Sequence, residues 1–388
     1  MEKILIITNA DMSLQSGNVV LITRRAQEMY NQYNIETTCV IVKRRYEQQI
    51  NHSIKGIEFV VNEDSTFIQK FILDNKPIKV IFYGIGAYSY INIVKMTLGE
   101  MKIKSKLLLD VQGALEEGIE YSNPRNYFKN YIKYLVKKRI FKRSLEKTDG
   151  AFVVSDEMEQ YCKKISNKND FITYKIRCGI NEVLTTEERI NWRVETRRIL
   201  GVNDNTVVFA FSGYRMPWQK IDEIIKLFKE YDSKYDNVFF AFFCNVDEPF
   251  LELVKQSFPK ENFIVKFLNF DEYFKYLCAC DVGFLLRDYN TTNKVAFPNK
   301  FSDYLNAGLI LAIHNSIPEP FRILKENNVE FLDVEKPELN LKNILNRQND
   351  IVNFYKKIEK ICNNELMYSS QISKLKLIEV DERKEGHC

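Results

Sequence analysis

The strongest clue to the architecture is Leu285 to Leu311, LLRDYNTTNKVAFPNKFSDYLNAGLIL. Asp281-Val282-Gly283-Phe284 leads into Leu285 and Leu286, a short apolar run of the kind shown by a strand buried on both faces. A polar loop follows, with Arg287, Asp288, Asn290, Asn293 and Lys294. Pro298 then sets the backbone ahead of a helix in which Phe301, Tyr304 and Leu305 recur at helical spacing. Gly308 ends that helix, and Leu309 to Ile313 reads as the next buried strand. Strand, loop, helix and strand make one βαβ unit. Open α/β sheets bind ligands where such a loop leaves the carboxyl end of a strand. The cations and helix N-terminal amides suit an anion, and Asp303 suits a hydroxyl.

At 388 residues the chain exceeds one ordinary core, so two domains are expected. A composition of 45% hydrophobic and 28% charged residues is that of a globular protein. The net charge of +4 gives no strong whole-molecule attraction to nucleic acid. Eight cysteines are scattered, with only Cys278 and Cys280 loosely paired, and their spacing matches neither a zinc site nor a disulfide framework. Three histidines, His52, His314 and His387, do not suggest a metal centre, and no metal is expected. MEKILIIT reads as a strand without a signal-peptide pattern, and no apolar run is long enough to span a membrane. The expected setting is a reducing cytoplasm.

From the amino terminus, Lys3 to Thr8 is a strand, Asn9 to Asn18 a loop containing Gly17, and Val19 to Tyr30 an amphipathic helix. Such a loop either presents backbone N–H groups to a phosphate or is only a turn. Strands are predicted at Thr38–Val42, Val80–Tyr83, Lys106–Asp110 and Ala151–Val154, alternating with helical patterns. Asp110 ends one of them. Glu116 and Glu117 read as a solvated helix start, since adjacent residues do not share a helix face. Asn126 to Lys147 is the most lopsided segment: eight Lys and Arg side chains are opposed only by Glu146 and interleaved with Tyr127, Phe128, Tyr131, Tyr134 and Phe141. It is either a helix lying on an anionic membrane or a surface helix packed on the sheet, and confinement to one helix argues against nucleic acid.

Glu182 to Arg189 reads as the connection to a second domain. Beyond it come strands at Val207–Phe211, Val238–Phe243 and Phe263–Lys266, and helices at Asp222–Tyr231 and near Tyr273–Cys278. After the first of these strands, Ser212-Gly213-Tyr214-Arg215-Met216-Pro217-Trp218-Gln219-Lys220 offers two cations five residues apart at a helix start, a pattern that suits a diphosphate.

SGYRMPWQK followed by a helix, and then PNKFSDYLNAG, resembles the carboxyl-terminal domain of family 4 glycosyltransferases of the GT-B fold. ILIITNADMSLQSG, DVQGALEEG, VVSDEM and RCGIN resemble, in order, segments of that family's first domain. The resemblance implies an α/β architecture of two doubly wound Rossmann-like domains facing a cleft. Residues 1–185 would form the acceptor side and 186–364 the nucleotide-sugar side, with 365–388 packing back on the first. It implies a retaining, metal-independent hexosyl transfer from a nucleotide sugar, expected to be UDP-linked, to a surface-glycan or lipid-linked acceptor, with no cofactor. By position, Arg215 and Lys220 would hold the donor diphosphate, helped by Arg287, Lys300 and the backbone around Phe297, Pro298 and Asn299. Asp303 would bond the ribose, Gly17 would let the first domain close on the phosphates, and Asp110, Gln112 and Gly113 would lie near the sugar and acceptor.

Three positions depart from the pattern. The family's pair of glutamates eight apart would fall at Val295 and Asp303, although a polysaccharide-building subset shows a similar proline-lysine pattern without the first. Gln112 stands where many members have histidine. One further reading therefore stays open, a catalytically weak GT-B protein acting as a binding or stabilising subunit. A nucleotide-sugar epimerase of the same fold is disfavoured, because such enzymes resemble other sequence patterns and the basic helix has no evident use there. The peripheral membrane contact through 126–147 would place the first reading at the inner face of the membrane.

Overall fold

The structure is a computed structural model, and it describes residues 2–11, 17–42, 54–62, 64–168, 170–260, 262–335, 344 and 350–375. Two parallel sheets organise it. The first is built from β1 (Lys3–Thr8), β2 (Glu36–Ile41), β3 (Ile57–Val61), β4 (Lys79–Tyr83), β5 (Lys106–Val111), β6 (Gly150–Val153) and β7 (Thr173–Lys175). Their spatial order is β3-β2-β1-β4-β5-β6-β7. The second sheet contains β8 (Val207–Ser212), β9 (Val238–Phe243), β10 (Phe263–Val265), β11 (Val282–Phe284), β12 (Ile310–Ile313) and β13 (Phe331–Asp333), in the order β10-β9-β8-β11-β12-β13. All the ladders are parallel, as in β11 beside β12, where Val282 opposes Ile310. Two doubly wound α/β domains result, which is the expected fold class.

Helices cover both faces of each sheet, so the central strands are apolar on both sides. Every residue of β8, VVFAFS, is buried. In the second core Phe209, Phe228, Phe240 and Phe284 pack ring against ring, with Phe228 edge-on to Phe284 at 4.9 Å. Among the described residues no helix is long and apolar enough to cross a membrane.

The connection between the domains is shorter than its polar sequence suggests. Thr185 and Glu188 form a capping box, each side chain bonding the other's backbone, and the helix Thr186–Leu200 begins there. Arg189, expected in the linker, is fully buried in that helix and donates from Nε to the Asn306 carbonyl at 2.7 Å. Near the other end of the chain, the helix Tyr368–Lys374 packs Tyr368 and Ile372 among Ile4, Ile6 and Ile22 of the first domain. The polar end from Asp381 lies outside the described residues.

Candidate functional site

Strand order reverses direction at β8 and β11 in the second sheet and at β1 and β4 in the first. Such switch points open a crevice at the strands' carboxyl ends. In the second domain the loops leaving β8 and β11 flank it, and these are the two polar loops.

Lys300 lies in the first turn of the helix Asn299–Asn306, which is buried along nearly its whole length. Its Nζ donates to Gln219 Oε1 at 2.7 Å and stands 4.2 Å from the centre of the Phe211 ring. Gly213 makes room for it: a Cβ there would come within 2.7 Å of the lysine Cε, and φ is +100°. Arg287 is also buried and donates from Nη1 to the Leu286 carbonyl at 2.8 Å. Neither forms an ion pair among the described residues. Burial, with Arg287 as a neighbouring like charge, pulls the Lys300 pKa well below the usual lysine range. Burial also lowers the Arg287 pKa to about 10. Asp303 and Asp288 act on them only from beyond ion-pair distance, so an anion brought against these two desolvated cations is worth most.

Arg215 and Lys220, by contrast, have carboxylate partners. Arg215 pairs with Asp247, beyond the end of β9, and its guanidinium lies 4.2 Å from the centre of the Phe250 ring. Lys220, in the left-handed conformation ahead of the helix Ile221–Lys234, reaches Asp288 Oδ1 and Glu223 Oε1, both at 2.6 Å. Burial alone would lower the Lys220 pKa, but these bonds outweigh it and the value is raised. The Phe297 side chain is core, edge-on to Phe301, so only its backbone is placed to meet a ligand. Pro298 caps the Asn299–Asn306 helix with φ −70° and ψ 134°. Val295 is likewise buried, and its carbonyl accepts from Ser155 Oγ of the first domain at 2.7 Å.

Asp303 is buried, and Arg24 reaches it from the first domain with Nη1 3.6 Å from Oδ1, longer than a hydrogen bond. Burial raises its pKa despite Arg24 and Tyr273. In the first domain, Asp110 lies in a buried pair, both its oxygens accepting from Arg25 Nη1 at 3.1 Å, and it does not stand free at the strand end. Gln112 is half-buried, with its Nε2 shielded from solvent and lacking an acceptor among the described residues. Gly113 is exposed, and a Cβ there would meet nothing within 4 Å. Gly17 begins the helix Gly17–Tyr33; residues 12–16 of the expected phosphate loop lie outside the described residues. Glu116 is an anchor, accepting from Tyr134 at 2.9 Å and Tyr161 at 2.7 Å. Among the described residues no group of three or more His, Cys, Asp or Glu side chains is placed to hold a metal ion.

Two residues that the sequence reading passed over hold the domains together at this crevice. Glu120 accepts from the amides of Thr291 and Thr292, each at 2.9 Å, and so caps the short helix Thr291–Lys294 from the opposite domain. The Tyr121 hydroxyl accepts from Asn290 at 2.9 Å and Asn293 at 2.7 Å and donates to Asp288 at 3.2 Å. Its ring meets Trp218 edge-on at 5.8 Å. The local signal was only a Glu-Tyr pair after a glycine.

No family model matches the sequence, and no curated protein matches it. Solved structures do match. A glycosyltransferase from Rickettsia africae superposes with a TM-score of 0.67 at 13% identity, over 96% of each chain. The sucrose-phosphate synthase of Thermosynechococcus elongatus gives 0.66 at 11% identity, over 97% of this chain and 98% of that one. WaaG, a glycosyltransferase involved in lipopolysaccharide biosynthesis, gives 0.64 at 11%, over 98% and 100%. Along nearly its whole length, the chain has the fold of GT-B glycosyltransferases.

Proposed function

We propose that this protein transfers a sugar from a nucleotide-sugar donor, retaining the anomeric configuration and without a metal ion, to a surface-glycan or lipid-linked acceptor. The observation that carries this reading is the buried pair Lys300 and Arg287, with no carboxylate in ion-pair contact among the described residues, at the switch point of the second sheet. The fold supports it, as do structural neighbours solved with UDP and with ADP. A hexosyl donor linked to UDP is the expectation.

In the reaction the bond between the anomeric carbon and the phosphate oxygen breaks. The acceptor oxygen bonds that carbon, and its proton passes to the departing phosphate. Negative charge grows on the diphosphate, so fixed cations facing it lower the barrier. Lys300 and Arg287 supply that charge. Arg215 and Lys220 join by exchanging Asp247 and Asp288 for phosphate oxygens, while Asp303 takes a ribose hydroxyl. Gln112 Nε2 is a donor for the sugar. A lipid-linked acceptor would place the protein at the inner face of the membrane, with segment 126–147 on the lipid side.

A weak or inactive binding subunit is the second reading, favoured by the buried Val295 and by Asp110 being engaged with Arg25. A thermal-shift screen with nucleoside diphosphates and nucleotide sugars, without added metal, tests both. One nucleoside diphosphate should raise the melting temperature by mass action, and Lys300→Ala should abolish the shift. Arg215→Ala and Lys220→Ala should each lose most turnover while folding normally. No shift with any nucleotide, or an unchanged shift in Lys300→Ala, would overturn the donor site. A shift without turnover would favour the binding subunit.

A further inference from the structure

The helix Tyr127–Lys147 carries eight Lys and Arg side chains against the single carboxylate of Glu146, a net +7 in a chain whose total is +4. Its inner side is fixed by packing, with Phe141, Ser144 and Leu145 buried and Tyr134 bonded to Glu116. Phe128, Ile132, Leu135 and Val136 fall on the opposite side, three or four residues apart, so that one turn stacks on the next. They are 76, 47, 47 and 55% exposed. A surface helix ordinarily turns charge away from the core. This one turns a second apolar stripe away from it, edged by Lys129 and Lys133 on one side and Lys138 and Lys142 on the other.

We propose that this face docks on an anionic lipid bilayer, with the four apolar side chains at the acyl boundary and the lysines and arginines among the head groups. It deepens the membrane partner named above and rests on that reading for its biological use. Charge selects the occupant. A second copy would set two +7 faces against each other, and a nucleic acid would leave the apolar stripe uncovered. The helix is tied to the crevice: Asn130 donates to Ser122 at 2.7 Å, Tyr134 to Glu116, and residues 117–121 between them run to the Glu120 and Tyr121 contacts with the second domain. Docking by this face would thus bring the first-domain rim of the crevice near the head groups, where a lipid-linked acceptor is presented.

The test is co-sedimentation of the full chain with vesicles of phosphatidylcholine, alone or mixed with phosphatidylglycerol, at low and high salt. The wild type should pellet with the anionic vesicles and stay in solution with the neutral ones. The triple variant Lys129→Glu, Lys133→Glu, Lys142→Glu should lose partitioning by on the order of a hundredfold, as three basic residues near lipid imply. The triple variant Phe128→Ser, Ile132→Ser, Val136→Ser should retain only weak binding that high salt removes. All six side chains are exposed, so both variants should fold and keep the nucleoside-diphosphate thermal shift, which separates failure of docking from failure of the donor reading. Three outcomes would overturn the docking: no binding to either vesicle, equal binding to both, or wild-type binding in both variants. A lipid-free dimer abolished by the serine variant would also overturn it and assign the face to a second copy.

Discussion

Lys300 and Arg287 place two positive charges where water is largely excluded, and among the described residues neither meets a carboxylate in an ion pair. For Lys300 the compensation is one bond to Gln219, the face of Phe211 and the more distant charge of Asp303. An uncompensated buried charge destabilises the ligand-free fold, and a site that binds an anion tightly carries that cost until the anion arrives. Because the Lys300 pKa is lower in the folded than in the unfolded state, the cost is full below the folded value. It is relieved as pH rises towards the ordinary lysine range. Lys300→Met keeps the aliphatic stem and removes the charge. The ligand-free variant should be more stable in urea at neutral pH, by roughly 1–3 kcal/mol, the order of what burying an uncompensated polar group costs. It should also no longer be stabilised by a nucleoside diphosphate. A less stable variant would mean that the contacts with Gln219 and Phe211 outweigh the burial of charge.

At the scale of elements, the crevice is held by a short first-domain segment gripping a short second-domain helix. The helix Thr291–Lys294 has too few turns to be stable alone. Glu120 supplies the partners its first amides lack, and Tyr121 binds the asparagines that begin and line it. Each such bond is worth about 1 kcal/mol net. Glu120→Ala should therefore speed hydrogen exchange at Thr291 and Thr292 by roughly tenfold, with Tyr121→Phe giving a smaller rise. Unchanged exchange at both amides would show that the helix is held from within its own domain. This grip was not legible in the sequence, because it joins residues about 170 positions apart that carry no common motif. For the same reason Asp110 read as a strand-end ligand contact, with nothing local to announce Arg25 as its buried partner. The helix Thr186–Leu200 defeats pattern reading in another way. It buries Arg189, Arg193 and Arg197 and exposes Val194 and Ile199, the reverse of the usual stripe. The causes are Asp281, fully buried ahead of β11, which takes both Arg193 at 2.6 Å and Arg197 at 3.3 Å, and Glu359, which takes Arg189 at 3.1 Å.

At the scale of the molecule, the two sheets were legible because central parallel strands are buried on both faces and so spell apolar runs, as in KILIIT, VVFAFS and VFFAFF. The edge strands β3, β7 and β13 are half-exposed and gave no such signal. What the sequence could not express is how the domains lean on one another, and there Glu319 is central. It is fully buried at the start of the helix Pro318–Glu326 in the second domain. It accepts from Arg177 Nε at 2.8 Å, Lys175 Nζ at 3.3 Å and the Asp156 amide at 3.1 Å, all from the first half of the chain. Burial alone would raise its pKa, but Arg177 and Lys175 outweigh burial and hold it below the ordinary glutamate value. A carboxyl depressed in this way stabilises the fold at pH values above its unfolded pKa, and that contribution is lost as pH falls through the folded pKa. The wild-type melting temperature should therefore fall with acid from about pH 5 downward. Glu319→Gln removes the buried carboxylate that Arg177, Lys175 and Arg322 share, leaving them only the more exposed Glu365, Asp156 and Glu157. It should cost about 3 kcal/mol at neutral pH and show a shallower acid decline, so that the two melting curves draw together at low pH. If the variant's melting temperature instead ran parallel to the wild type across the whole acid range, Glu319 would not be the group whose protonation loosens the domain contact.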